Sequence, residues 1–129
     1  MDVLNILLVV ITSLASGILG VVVSNRHFSK LEKNKFKRDI CLQLIANRHN
    51  LIGDEFTQAL NSITFAFNDD VETIKKFIIF NDGVTARETT PVINEKLVEL
   101  IKAMLRALKM EVKDMDSKYY LITFNNKLP

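Results

Sequence analysis

Two histidines, one cysteine, fifteen carboxylates and a handful of arginines are the groups in this chain that could carry chemistry. His27 and His49 stand roughly 33 Å apart if one helix joins them, at about 1.5 Å of rise per residue. They cannot share a metal ion within one chain. On the same reckoning Cys41 and His49 are near 12 Å apart, too far for a thiolate–imidazole pair. Cys41 also falls on an apolar stripe, where a thiol is ordinarily core. Asp69, Asp70 and Glu72 carry oxygens that suit Mg²⁺, but acidic residues opening a helix are common capping groups. Asp114-x-Asp116-x-Lys118 lacks the third oxygen ligand and the glycine of a calcium loop. The four glycines are scattered, so no phosphate-cradling loop exists. The expectation is a non-enzyme with no catalytic group, no metal site and no cofactor.

Arg48, Asn61 and Arg87 remain as candidate ligand-binding residues. Arg48 continues an apolar stripe, and Asn61 adjoins Leu60 on a helix flank. A polar residue at a buried edge must find partners. A structural Arg–carboxylate or Asn–backbone contact would satisfy them. The functional alternative is an anion site, because an arginine fork matches phosphate oxygens bidentately.

The element that must position everything else is the beginning of the chain. Residues 3–24, VLNILLVVITSLASGILGVVVS, hold no charge. As a helix this stretch is roughly 33 Å long, against about 30 Å of bilayer hydrocarbon. A single spanning segment must be helical, since every backbone N–H and C=O has to be satisfied internally. A cleaved signal peptide is the competing reading. The start, Met1-Asp2, has no basic region, and the apolar run is longer than a usual signal core. A retained transmembrane helix is therefore expected.

The chain's net charge of +2 conceals an asymmetry. Residues 25–50 carry Arg26, Lys30, Lys33, Lys35, Lys37, Arg38 and Arg48 against Glu32 and Asp39, a net of +5. Positive charge behind a span predicts the N-terminus outside and the C-terminal part in the cytoplasm. A bacterial inner membrane is the expected location. Arg26, Lys30, Lys33 and Lys37 are candidates for contact with anionic lipid headgroups, at about 1 kcal/mol each. A lone cysteine rules out an intrachain disulfide and fits a reducing compartment. Nothing suggests binding to duplex nucleic acid.

The span has a patterned face. Ser13, Ser16, Gly17, Gly20 and Ser24 recur at helical spacing, and such small residues let two helix backbones approach closely. They form a candidate oligomerisation face, and the chain is expected to be a homo-oligomer.

Beyond the span the spacing predicts a mainly α protein: one N-terminal transmembrane helix, then a small helical domain with room for a short C-terminal β-hairpin. The expected division is 1–25 as anchor, 26–35 as a basic juxtamembrane helix and 36–129 as a cytoplasmic domain. Phe36, Ile40, Cys41, Leu44 and Ile45 make the first amphipathic stripe. Gly53-Asp54 ends it, with Asp54 as the expected cap of a second helix carrying Phe56, Ala59, Leu60, Ile63 and Phe67. Val71, Ile74, Phe77 and Ile78 predict a short third helix, stopped at Asn81-Asp82-Gly83. Thr90-Pro91 reads as N-cap and first helical residue. Ile93, Leu97, Leu100, Ile101, Met104, Leu105 and Leu108 give the most regular pattern. Met110 to Val112 and Tyr119 to Phe124 have β character.

At Leu44-x-Ala46-x-Arg48, Leu51 and Phe56-xx-Ala59-Leu60-Asn61-x-Ile63-xxx-Phe67, the chain resembles a family of small bacterial membrane proteins. These look like one N-terminal span followed by an uncharacterised helical cytoplasmic domain. Leu97-Val98-xx-Ile101-xx-Met104-xxx-Leu108 fits the same pattern. Members tend to have Gly-Tyr after the last helix, where this chain has Lys109-Met110. The resemblance supports the layout and implies no activity.

Two functional readings follow. In one, an oligomeric membrane effector senses a ligand through its cytoplasmic domain and acts on the membrane. That layout is similar to small antiviral effectors gated by cyclic nucleotides. In the other, the chain is an anchor or adaptor that recruits a protein partner without sensing a ligand.

Overall fold

The structure is a computed structural model that describes residues 2–123. It is 78% helical, with no strand among the described residues. Five helices follow one another: α1 (Val3–Ala46), α2 (Asp54–Ala66), α3 (Val71–Thr85), α4 (Thr90–Ala107) and α5 (Ser117–Leu121). The chain divides into two compact units, Met1–Asn34 and Lys35–Pro129.

The first unit is the N-terminal part of α1, and residues 2–33 are all exposed. A core helix of a water-soluble domain would bury one face. This one buries none. It is long and apolar enough to cross a membrane. Thr12 turns its hydroxyl inward and donates to the carbonyls of Leu8, at 2.9 Å, and Val9, at 3.0 Å. The polar group is thereby satisfied within its own helix, as an apolar solvent demands.

The second unit has a single apolar core. Ile40, Cys41 and Leu44 from the end of α1 meet Phe56, Ala59, Ile63, Ala66 and Phe67 from α2 and the segment after it. Phe80 of α3 and Leu97, Leu100, Ile101 and Met104 of α4 complete it. Helix α4 packs along α3 and also touches α5, whose Leu121 lies against the core. Asp70 caps α3 by accepting the Thr73 N–H at 3.0 Å. Burial presses the Cys41 thiol up to about 11, so at neutral pH it stays protonated within the core.

Both α3 and α4 end in the same device. Arg87 N–H and Glu88 N–H return to the carbonyls of Val84 and Gly83, and Lys109 N–H and Met110 N–H return to Arg106 and Leu105. This is the Schellman pattern, which needs a left-handed residue just past the helix. Arg87, with φ 55°, and Lys109, with φ 58°, occupy that position. Both positions are thus helix termini that favour glycine. Changing Lys109 to glycine should stabilise the domain by up to about 1.5 kcal/mol. It removes a left-handed clash of roughly 1–2 kcal/mol, less about 0.5–1 kcal/mol for glycine's extra freedom when unfolded. Urea unfolding of the solubilised chain measures the gain, and Lys109→Ala should show none.

Several boundaries differ from the sequence reading, each for a local reason. Gly53 is the N-cap of α2, and Asp54 is the first helical residue, where its charge suits the helix dipole. Thr89 holds the N-cap position of α4 without a side-chain capping bond, one residue before the expected Thr90. Gly83 does not stop α3, which continues to Thr85. A Cβ at Gly83 would lie 2.7 Å from Glu88 Oε2 and 3.1 Å from Lys96 Cδ, so the glycine makes room for that ion pair. Residues 110–116 are irregular and Ser117–Leu121 is helical, so no hairpin forms among the described residues. Phe124 lies outside them. Phe36, Val71 and Ile78, expected on buried stripes, are exposed.

Candidate functional site

The span's small-residue face is open. Beyond the chain neighbours and the backbone of the helix itself, no atom lies within 4 Å of where a Cβ would sit on Gly17 or Gly20. Ser13, Leu14, Gly17, Ile18, Val21 and Val22 line a hollow of about 360 Å³ on the helix surface. Of the five residues in the candidate oligomerisation face, Ser13 and Gly17 line this hollow, while Ser16, Gly20 and Ser24 lie outside it. All five are exposed.

Of the basic residues grouped for headgroup contact, Arg26, Lys30 and Lys33 are exposed. Lys37 belongs to the second unit and is buried at 8% exposure. Its ammonium lies 2.7 Å from Asp69 Oδ1 and 2.9 Å from Oδ2, and 5.9 Å from the centre of the Phe67 ring. A charge held this way is a structural tie, which corrects its place among the headgroup residues. The tie was hidden from periodicity, because its partner follows α2, well along the chain.

Arg48 is similarly committed. Its Nη1 donates to the Ile45 carbonyl at 2.7 Å and its Nε to the Tyr120 carbonyl at 2.8 Å, while Nη2 donates to the carbonyl of Ile122. The guanidinium thus closes the end of α1 and collects carbonyls at the end of α5, where a helix leaves acceptors without intrahelical donors. The partner is backbone, where the sequence suggested a carboxylate. Tyr120 is held further by its hydroxyl, which donates to the Lys113 carbonyl, and by Lys102 at 5.1 Å from its ring centre. Asn61 and Arg87 are exposed and carry no side-chain hydrogen bond or ion pair among the described residues. No bond joins the three candidate ligand residues to one another.

The groups weighed for catalysis have the following surroundings. Asp69 pairs with Lys37, Asp70 caps α3, and Glu72 lies 3.9 Å from Lys76 one turn along. His27 and His49 are exposed. No cluster of three metal-ligating side chains occurs among the described residues.

These features define a class: an α-helical protein with one N-terminal helix fit to cross a membrane and a small helical domain behind it. Residues 1–121 match the model of a family described as Family of unknown function (DUF6680), and the chain belongs to that family. The match runs through both units. No curated protein and no solved structure matches the chain.

Proposed function

We propose that this protein is a non-catalytic, self-associating adaptor of the bacterial inner membrane, with its N-terminus outside and its helical domain in the cytoplasm. The observation that carries this reading is the helical stretch 3–24, uncharged and exposed on every face, followed by residues 25–50 with a net charge of +5. Such a helix needs lipid or other helices around it, and the positive charge favours the cytoplasmic side. Arg26, Lys30 and Lys33 then lie at anionic headgroups. The Ser13–Gly17 hollow admits the backbone of a second span, which gains dispersion contacts that a lone helix lacks. The domain serves as the recruiting part, presenting its surface to a protein partner.

The test of assembly is a membrane dimerisation assay. Gly17→Leu should fill the hollow and lower self-association several-fold, while Leu19→Ile should leave it unchanged. Equal signals from both variants would remove the span from the interface.

A second reading, a membrane effector gated by an anionic ligand such as a cyclic nucleotide and serving antiviral defence, is favoured by one observation. Arg87 presents an unpaired guanidinium on the left-handed turn after α3. Asn61 stays with it as a candidate. Arg48 leaves that set, because its donors serve the carbonyls of α1 and of the α5 end. Mass spectrometry of small molecules co-purifying with the detergent-solubilised chain, compared with an Arg87→Ala variant, decides this reading. A nucleotide carried by the first and absent from the second supports it.

A further inference from the structure

We propose that the solvent face of α3 is a two-fold interface between copies of this chain. The inference rests on the membrane-tethered, self-associating reading and names a second surface for it.

Helix α3 buries Thr73, Phe80 and Gly83 and turns the opposite side outward. That outer stripe runs Val71, Lys75, Ile78, Ile79 and Asp82, and on to the C-cap Ala86, at the spacing that keeps residues on one helix face. Val71 is 83% exposed and Ile78 50%. A soluble helix normally gives its outer face to charged and polar side chains. Here the middle is two isoleucines. Neither Lys75 nor Asp82 takes part in an ion pair among the described residues.

The order of these residues fits an antiparallel copy of itself. A two-fold axis passing between Ile78 and Ile79 sets those two residues against their counterparts. The same operation sets Lys75 of one copy opposite Asp82 of the other, twice, and Val71 opposite Ala86. Isologous interfaces require this self-complementarity. The arrangement places apolar groups at the centre and opposite charges at the flanks, the usual anatomy of a specific contact. One helix of this length, about 22 Å, cannot supply the roughly 800 Å² per partner of a standard stable interface. Confinement of both copies by their spans raises the effective concentration, so a small contact suffices.

Disulfide crosslinking of the full chain in membranes tests the proposal, with the wild type and its buried Cys41 as the blank. Ile78→Cys and Ile79→Cys should each give a crosslinked dimer on mild oxidation, and Glu95→Cys, exposed on α4, should not. Adding Lys75→Glu or Asp82→Lys to Ile78→Cys faces like charges across the axis and should lower the crosslinked fraction about tenfold or more. Both reversals together should restore it. Failure of Ile78→Cys and Ile79→Cys to crosslink, while Gly17→Cys does, would overturn the α3 interface and leave association through the span standing. Loss of crosslinking at all three positions would overturn both.

Discussion

Replacing Phe67 with alanine should destabilise the helical domain by about 3–5 kcal/mol, the usual cost of removing a buried aromatic ring. Phe67 has no exposed surface and lies in the core cluster with residues from α1, α2, α3 and α4. Its ring also carries the Lys37 ammonium near its face, so the substitution strips a neighbour from a buried charge. A small domain has only about 5–15 kcal/mol of stability in total. Leu97→Ala, equally buried in α4, should cost about 2–5 kcal/mol. Leu60→Ala and Leu105→Ala should cost less, because both side chains are only half-buried at the margin of the core. Urea unfolding followed by the helical signal of the solubilised chain measures all four. Equal midpoints for Phe67→Ala and the wild type would mean that the core is not the one described.

Arg48→Ala should cost about 1.5–3 kcal/mol, the range of hydrogen bonds made by a charged group, and should release α5. Three carbonyls lose the guanidinium, two of them at the end of α5, while Ile45 keeps the Arg48 backbone N–H. Helix α5 has only five residues, too few to persist without tertiary support. Its remaining ties are Leu121 against the core and the contacts of Tyr120. Limited trypsin digestion should therefore cut at Lys113 and Lys118 much faster in the variant. Arg48→Lys should not restore protection, since a lysine is a flexible point charge where the site uses a planar fork. Unchanged cleavage in Arg48→Ala would show that α5 is held by something else.

The helical class and the core of α4 were legible because period alone reports them: Leu97, Leu100, Ile101 and Met104 recur as one stripe and all are buried. Period failed where a residue serves a partner distant in sequence. Lys37 reads as one more basic residue until Asp69 stands beside it, and Arg48 reads as either a carboxylate's partner or an anion ligand until α5 arrives. Gly83 reads as a helix stop, because nothing in its neighbourhood announces that Glu88 and Lys96 need the space of its side chain. On α3 the apolar residues follow two stripes, Phe77 and Phe80 inward and Val71 and Ile78 outward, and hydrophobicity does not say which is the core. The C-terminal segment had β character in Tyr119 and Ile122, but a strand needs a neighbour to pair with. Its carbonyls find Arg48 instead.

The membrane anchor and its orientation are the centre of this account. Paired reporters fused after Pro129 test them most directly. A fluorescent protein that folds only in the cytoplasm should be bright and remain with membranes after an alkaline carbonate wash, and alkaline phosphatase at the same position should be inactive. Active phosphatase, or a fluorescent fusion washed free of the membrane, would contradict the account.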